Sequence, residues 1–337
     1  MDAVVGINNY WVSERDQDGS WCMDRFGCPV FDILLDPPWF HHNMLQSHME
    51  NLYLIVLDLE HMSYCWKYYA PFRDVDTAYI SGCATDLKSY KEKEIPLLFA
   101  GTFNAEYLDI QYLERKISEA GGTVELNQKW LKNLMVVRMA YPELSVPQIV
   151  KFVLEHDKIK YTDATLTSLI SLLGTCSDFY IRAYWRKQII QRLVDSGITV
   201  HVAGPGWENL YPSCPPNLVL EGVLDFDKTS ELIANSRLVL NITGWNEGLH
   251  DRILTTMHNG SVCITNTTPY TASRFQDQEN IVLYNLKKLD ELPGKVRKLL
   301  DNPTKAEAIA DAGYKKVQTV YTWETFVRDF ILNKLKT

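Results

Sequence analysis

The stretch of the chain best suited to chemistry runs over residues 237–266. A short apolar run, typical of a strand buried on both faces, leads into a glycine-containing loop and a helix that opens with His250 and Arg252. The first N–H groups of a helix lack partners within it and bind anions, and a guanidinium can pair with two phosphate oxygens. Glu247, just before the helix, could hold sugar hydroxyls. These residue types predict a diphosphate site, although an ordinary strand–helix corner with solvated charges has the same pattern.

This segment resembles the donor-binding corner of the GT-B glycosyltransferases, in particular the group 1 type related to spore-maturation proteins. The resemblance is carried by a Glu-Gly loop at Glu247-Gly248, a His-Asp-Arg helix start at residues 250–252 and a Gly-apolar strand from Gly260. In the related retaining families a second glutamate, eight positions after the first, usually binds the donor ribose. Thr255 occupies that position here, so an inactive relative that only binds a nucleotide sugar is an alternative. Inversion or retention of the anomeric centre stays open.

The resemblance implies an α/β fold of GT-B type, with two Rossmann-like domains, a helical insert and a C-terminal crossover helix. It also implies a metal-independent glycosyltransferase without a cofactor, which moves a sugar from a UDP- or GDP-linked nucleotide-diphosphate sugar to an acceptor hydroxyl or other nucleophile. The acceptor and the oligomeric state cannot be read from the sequence. The residues expected to contact the donor are Gly101, Thr102, Arg182, Arg186, Gly204, Trp207, Val223, Leu224, Gly248, Leu249, His250, Asp251, Arg252, Thr268 and Tyr270.

Composition and charge limit the classes of protein that this chain can represent. Its 337 residues leave room for two domains, and 46% hydrophobic with 23% charged residues is ordinary for a globular protein. A net charge of −8 argues against a nucleic-acid partner, which requires a basic surface. We expect no membrane span and no export signal, because no long uninterrupted apolar stretch is present. Seven cysteines without Cys-x-x-Cys pairs suit free thiols in a reducing cytoplasm.

Apolar runs that alternate with short helical segments divide the chain into three parts. The resemblance implies an acceptor-side Rossmann-like domain over residues 1–94, with fewer strands than the family usually has, and a donor-binding domain over 95–321. It also implies that the tail, residues 322–337, forms a helix that packs back on the first domain. Within these parts we predict early strands at 3–7, 31–35, 52–57 and 77–80, a helix at 40–50, a strand at 95–100 and a helical insert at 104–175.

Polar side chains cluster at the carboxyl ends of the first strands, where ligands of parallel sheets bind. Asp36, Asp58 and His61 are candidates for taking the proton from an attacking hydroxyl, and Glu247 completes the predicted catalytic set. Asp36 before two prolines and Asp58 before a helix also suit turn and cap positions. Zinc is a less favoured alternative, because the available histidines match no standard ligand spacing: His41, His42, His48 and His61.

Two arginines follow the helical insert. Arg182 and Arg186 lie four residues apart, on one face of a helix predicted over 179–195 that Asp178 would cap. The start of this helix is expected beside the glycine turn at 101–103, which would aim Arg182 at the diphosphate. A solvated basic helix face is the alternative.

Two Asp-x-Asp patterns raise the question of a metal. Asp225-Phe-Asp227 has the form of the metal-binding motif of the GT-A glycosyltransferases, so a manganese-dependent enzyme of that type is a further alternative. Because Asp225 stands just before a predicted helix, we interpret it as a helix cap. Asp74-Val-Asp76 precedes a predicted strand rather than following one, so we interpret it as structural too.

Overall fold

Two separate parallel β-sheets organise the chain. The computed structural model describes residues 2–46, 49–69, 72–80, 82, 84, 87–119, 128–244 and 246–336. The first sheet has the strand order β1-β2-β3-β4, and the second has the order β10-β9-β8-β5-β6-β7. The strands are β1 Val4–Ile7, β2 Val30–Leu34, β3 Met49–Val56, β4 Phe72–Thr77, β5 Ile95–Ala100, β6 Val200–Ala203, β7 Leu218–Gly222, β8 Ser236–Asn241, β9 Val262–Asn266 and β10 Val282–Tyr284.

Helices cover both sheets and connect them. Two of the helices, α6 and α13, continue into π-helical turns, at Ile170–Gly174 and Val327–Leu332. The α-helices are α1 His42–Leu45, α2 Leu59–Tyr68, α3 Ile110–Glu119, α4 Gln128–Ala140, α5 Val146–His156, α6 Asp163–Leu169, α7 Thr175–Asp195, α8 Phe226–Ala234, α9 Asp251–His258, α10 Pro269–Arg274, α11 Leu292–Leu300, α12 Pro303–Val320 and α13 Trp323–Phe326.

The predictions for the edge of the first sheet were wrong in two places. The fourth strand covers residues 72–77 instead of 77–80, because an edge strand needs few apolar residues and its charged positions hid it. Asp74 and Asp76 therefore lie within β4, where both contact the ammonium group of Lys334. The helix predicted at 40–50 ends at Leu45, since β3 already pairs with β4 at Met49.

The helical insert shares its core with the first sheet. Leu134 of α4, Ile149 of α5 and Ile170 are buried in one cluster with Leu34 of β2 and Val56 of β3. The short connections between β1, β2 and β3 supply only brief helical turns, so the apolar face of this sheet needs helices from elsewhere in the chain. Although the insert follows β5 in sequence, it packs as a layer of the first lobe, which we define as the first sheet, α2, the insert and the tail.

The C-terminal tail covers the opposite face of the first sheet. Phe326 and Ile331 are buried against Phe31 and Ile33 of β2 and Ile55 of β3. The tail therefore completes a three-layer arrangement, with the sheet between the insert and the last helical turns.

The second lobe consists of the second sheet with α7 to α12. Its strands run in the doubly wound order in which the direction of winding reverses between β5 and β8. Parallel sheets of this kind bind ligands at the carboxyl ends of the strands on either side of the reversal. Those ends are Gly101 after β5 and Ile242 after β8.

The helix that carries Arg182 and Arg186 starts earlier than predicted. It begins at Thr175 and continues the insert through the π turn, so Asp178 lies inside the helix and caps nothing. Asp178 is instead buried in ion pairs with Arg138, at 2.6 Å, and Arg182, at 3.2 Å. Because the helix is continuous at Arg182, its backbone N–H groups there are used within the helix. An anion near Arg182 can therefore contact only the side chains of this helix.

One helical stretch is long and apolar enough to cross a membrane, judged by length and composition alone. The stretch Asp163–Asp195 is 33 residues long, and 56% of its most apolar window is buried inside the protein. This is also the pattern of a helix that packs into the core of its own chain. The absence of a membrane span and the cytoplasmic location therefore stay predictions.

Removing the aromatic ring of Phe326 should release the tail from the first sheet. Phe326 is 3% exposed, and the Phe326→Ala substitution is expected to lower the free energy of unfolding by about 3 kcal/mol, the usual cost of an emptied core site. Val327→Ala, at a neighbouring side chain that is 41% exposed, should change it by less than about 0.5 kcal/mol. Guanidinium titrations measure both, and equal effects would contradict the docking of the tail.

Candidate active site

A cleft opens at the reversal point of the second sheet. One part has a volume of about 420 Å³ and is enclosed by the turn after β5, the face of α7 and the start of α9. A second part, of about 160 Å³, is lined from the first lobe by Leu35, Asp36 and Leu57. Arg182, Arg186 and His250 line both parts, so the two form one cleft between the lobes.

The glycine turn at the end of β5 is held by the turn after β6. Trp207 is buried, and its indole N–H donates to the Gly101 carbonyl at 2.7 Å. Gly204 has φ 120°, and a Cβ there would lie 2.7 Å from the Gly101 oxygen, so only glycine permits this approach. Gly204 and Trp207, both predicted to contact the donor, support this turn and are not among the residues that line the cleft, whereas Gly101 and Thr102 are.

Three guanidinium groups face the cleft. Burial, followed by the positive charges of Arg252 and Arg182, lowers the pKa of Arg186 to about 9. Burial also lowers the pKa of Arg252, although Asp251 opposes this effect. Both guanidinium groups lie over the ring of Phe99, at 5.7 Å for Arg186 and 5.5 Å for Arg252. A concentration of buried like charges is unfavourable until an anion enters, so this wall is prepared for a group with several negative charges.

Arg252 is oriented by a residue that the sequence analysis missed. Its Nη1 donates to Asn241 Oδ1 at 3.2 Å, and the Asn241 amide nitrogen donates to Thr265 Oγ1 at 2.9 Å. Asn241 is fully buried at the carboxyl end of β8. A polar residue that ends an apolar strand was the available signal for this role.

His250 caps the helix that begins beside the arginines. Its Nδ1 lies 2.7 Å from Asp251 Oδ1 and 3.2 Å from the backbone nitrogen of Arg252. One ring nitrogen cannot donate to the first atom and accept from the second, so the tautomer of the ring decides which of the two contacts is a hydrogen bond. Burial lowers the pKa of His250, and the negative charge of Asp251 opposes this effect.

The two lobes are joined directly in front of this helix. Asp58 caps α2 by accepting from the Glu60 N–H at 2.7 Å, and its second oxygen accepts from the Glu247 N–H at 2.9 Å. Gly248 pairs with Asp58 in a β-bridge, and a Cβ on Gly248 would lie 2.0 Å from the Leu57 oxygen. The predicted general-base role of Asp58 is therefore wrong, because both of its oxygens are occupied by backbone donors and the residue is 1% exposed.

The other predicted catalytic residues lie in different surroundings. Asp36 lines the cleft with its carboxylate partly exposed, 3.9 Å from Arg182 on the opposite wall. His61 is 5% exposed with its ring edge against Trp39, so a substrate hydroxyl cannot reach it, and the base role predicted for it is wrong. Glu247 is half-buried beside Glu60 and is not among the residues that line the cleft. Its contact with sugar hydroxyls stays a prediction.

Besides Gly204, Trp207 and Gly248, five further predicted donor residues are not among those that line the cleft. Leu249 is in the core of the second lobe, and Tyr270 packs in the same cluster. Thr268 is buried as the N-cap of α10. Leu224 packs against a buried apolar cluster of the second lobe. The side chain of Val223, the first residue after β7, is exposed. Apolar and capping residues can lie close to a site in sequence although their side chains do not face it. The family pattern therefore named more residues than line the cleft.

A cluster of carboxylates at the junction of the lobes was missed. Burial raises the pKa of Glu60 to about 7; repulsion from Asp58 and Glu247 adds to the effect, and a hydrogen bond with Ser145 of the insert opposes it. The signal in the sequence was weak, because Glu60 looks like an ordinary acidic residue in the first turn of a helix.

Within the described residues, no three His, Cys, Asp or Glu side chains are grouped closely enough to hold a metal ion. His42 Nδ1 lies 2.7 Å from the Tyr69 hydroxyl, and Asp225 caps α8 by accepting from the Lys228 N–H. His48, a further candidate for zinc, lies outside the described residues.

Comparisons with known proteins find one family model and several similar solved structures. Residues 182–331 match the family model described as glycosyl transferase-like. Similar solved structures include a mutant of S. aureus TarM in complex with fondaparinux, alpha-GlcNAc-glycerol and UDP, with TM-score 0.46 and 11% identity over 99% of this chain and 50% of that one. Sucrose-phosphate synthase from Thermosynechococcus elongatus has TM-score 0.48 and 11% identity over 99% and 72%. The DNA-modifying β-glucosyltransferase has TM-score 0.49 and 10% identity over 100% of both chains. A search of curated proteins finds no match.

The two-lobed α/β fold predicted from the sequence is confirmed, because each lobe is built on its own parallel sheet. The glycosyl transferase-like match covers most of the second lobe and part of the tail. The chain spans about half the length of TarM, at 50% coverage. With 10–11% identity and TM-scores of 0.46 to 0.49, these structures assign neither an activity nor a residue role to this chain.

Replacing Glu60 by glutamine should change how the stability of the protein depends on pH. A carboxyl group whose pKa is raised on folding, here from 4.5 to about 7, stabilises the folded state below its unfolded pKa and loses that contribution as pH rises through 7. Glu60→Gln should therefore be more stable than wild type at pH 8, by about 1 kcal/mol after allowance for solvent screening, and equal to it near pH 4.5.

Denaturant unfolding at both pH values measures this difference. Glu208→Gln, at an exposed glutamate, serves as the control and should show the same difference from wild type at both values. A Glu60→Gln curve parallel to wild type from pH 4.5 to 8 would contradict the buried carboxylate cluster.

Proposed function

We propose that the protein transfers a sugar from a nucleotide-diphosphate sugar to an acceptor, without a metal ion. The observation that supports this most is the convergence of Arg182, Arg186 and Arg252 on one cleft at the reversal point of the second sheet. The diphosphate gains negative charge as the sugar–oxygen bond breaks, and fixed guanidinium groups stabilise that charge without reorganising. They supply the positive charge that a divalent cation supplies in metal-dependent transferases.

The first lobe supplies the proposed acceptor side. Asp36 is the predicted catalytic residue whose carboxylate lines the cleft from the first lobe, opposite the arginines. A carboxylate in this position can accept the proton of an acceptor hydroxyl as that oxygen attacks the anomeric carbon. A single displacement of this kind inverts the anomeric centre.

The finer family assignment is also a proposal. The sequence from Glu247 to Arg252 supports the spore-maturation-protein type. Thr255 at the position of the second glutamate favours a second candidate function, a relative that binds a nucleotide sugar without transferring it.

A panel of UDP- and GDP-linked sugars separates these functions. Binding to the folded state raises the melting temperature, so at least one compound should stabilise the protein. Release of the nucleoside diphosphate from that compound would support transfer, and stabilisation without release under any condition would support the binding protein. Activity that a chelator abolishes would contradict metal independence, and no stabilisation by any compound would contradict donor binding.

Loss of one arginine should weaken binding of the nucleoside diphosphate. Arg252→Ala and Arg186→Ala are each expected to reduce the affinity for UDP or GDP by about 1.5–3 kcal/mol, the value of a charge-assisted hydrogen bond. Arg192→Ala is the matched control, because Arg192 is on the same helix as Arg186 but pairs with the exposed Asp290 outside the cleft lining. Titration calorimetry measures the affinities, and unchanged values for both cleft variants would contradict the phosphate role.

A further inference from the structure

Asn8, the first residue after β1, is fixed at both ends of its side-chain amide. Its Oδ1 accepts from the backbone N–H groups of Leu35 and Asp36, each at 3.2 Å. Its Nδ2 donates to Asp36 Oδ2 at 2.9 Å. Because backbone N–H groups can only donate, the oxygen end of the amide is determined, and the NH₂ end must face the carboxylate.

The two oxygens of Asp36 consequently have different surroundings. Oδ2 is held by Asn8, and Oδ1 lies 3.9 Å from Arg182 Nη1 on the opposite wall of the cleft. The side chain of Asp36 is 37% exposed and lines the cleft, so its carboxylate is accessible to a molecule there, and Oδ1 is the oxygen that Asn8 does not hold.

The backbone around Asn8 is held in a conformation that few residues adopt. Asn8, Asn9 and Trp11 have φ values of 54°, 62° and 56°, in the left-handed region that disfavours residues with a side chain. The Asn8 N–H donates to the Ile33 oxygen at 2.7 Å, and the Asn9 N–H donates to Asp32 Oδ1 at 3.1 Å. Asparagine tolerates this backbone better than most residues and also brings one acceptor and one donor to the same place.

We propose that Asn8 is a positioning residue that aims Asp36 Oδ1 at the acceptor hydroxyl. This inference rests on the proposed function of the same cleft. In the step, the hydroxyl oxygen bonds to the anomeric carbon and its proton passes to Asp36 Oδ1. The bond from the anomeric carbon to the diphosphate oxygen breaks, and the diphosphate leaves with the electron pair.

Asn8→Asp tests the inference because it changes one end of the amide only. An aspartate tolerates the same backbone and still accepts from the two N–H groups, but it places a second negative oxygen against Asp36 Oδ2. Two adjacent carboxylates resist ionising together, so the acidic limb of the kcat/KM profile should move up by about one pH unit. Activity should fall about tenfold on the acidic side of the wild-type midpoint and by less than about twofold one or more pH units above it.

Two further variants define the control. Asn9→Asp makes the same charge change one residue later, at a side chain without a described hydrogen bond to Asp36, and should leave the acidic limb in place. Asn8→Gly keeps the left-handed backbone and removes the amide, so the limb should move in the same direction by a smaller amount. Activity is measured as nucleoside diphosphate release from the sugar nucleotide that stabilises wild type most.

A second readout does not depend on turnover. In protein labelled with ¹³C at the aspartate carboxyl groups, the Asp36 signal should titrate about one pH unit higher in Asn8→Asp than in wild type. An unshifted midpoint, or a loss of activity equal at every pH, would reduce Asn8 to a structural residue and overturn the inference.

The proposed function fails separately. The proposed function is contradicted if the wild-type protein binds neither UDP nor GDP and releases neither of them from a sugar nucleotide. This outcome does not depend on how Asp36 titrates.

Discussion

The contact between Asp58 and the Glu247–Gly248 backbone is the constraint on which the cleft depends. It is made of one carboxylate shared between two backbone donors and one glycine that leaves no space for a side chain. A buried carboxylate that lost either donor would leave an unsatisfied charge, so the two lobes are strongly coupled at this point. Asp36 belongs to one lobe and the arginines to the other, so this junction sets the distance between them across the cleft.

Electrostatics within the cleft oppose the charge of the whole chain. The net charge is −8, yet three guanidinium groups line a single cavity. Burial alone would raise the pKa of Asp178, but Arg138 and Arg182 hold it below its ordinary value, so Asp178 stays ionised behind the helix face. This carboxylate anchors Arg182 from the side away from the cleft and leaves Arg186 without a carboxylate among its described contacts. The local field thus favours an anion although the molecule as a whole repels one.

Local patterns in the sequence predicted the parts of the site that are themselves local. The glycine turn after β5, the start of α9 and the capping role of Asp225 depend on neighbouring residues, and the structure has them where periodicity and capping chemistry placed them. Some differences from the predictions are local, such as the early start of α7, and others concern partners that are distant in sequence. Asp58 acts through Glu247, 189 residues away, and Trp207 through Gly101, 106 residues away. No propensity or spacing rule contains such a pairing, and for that reason two supporting residues were predicted as functional ones.

The insert links the geometry of the cleft to the packing of the first lobe. Its last segment continues through a π turn into α7, so one helical stretch begins in the core of the first lobe and ends in the core of the second. Arg138 of α4 binds Asp178 of α7, which in turn binds Arg182. The insert is therefore connected to an anion-facing side chain through two ion pairs and a continuous backbone. This arrangement gives the segment between β5 and the helix that carries the arginines a structural role next to the cleft.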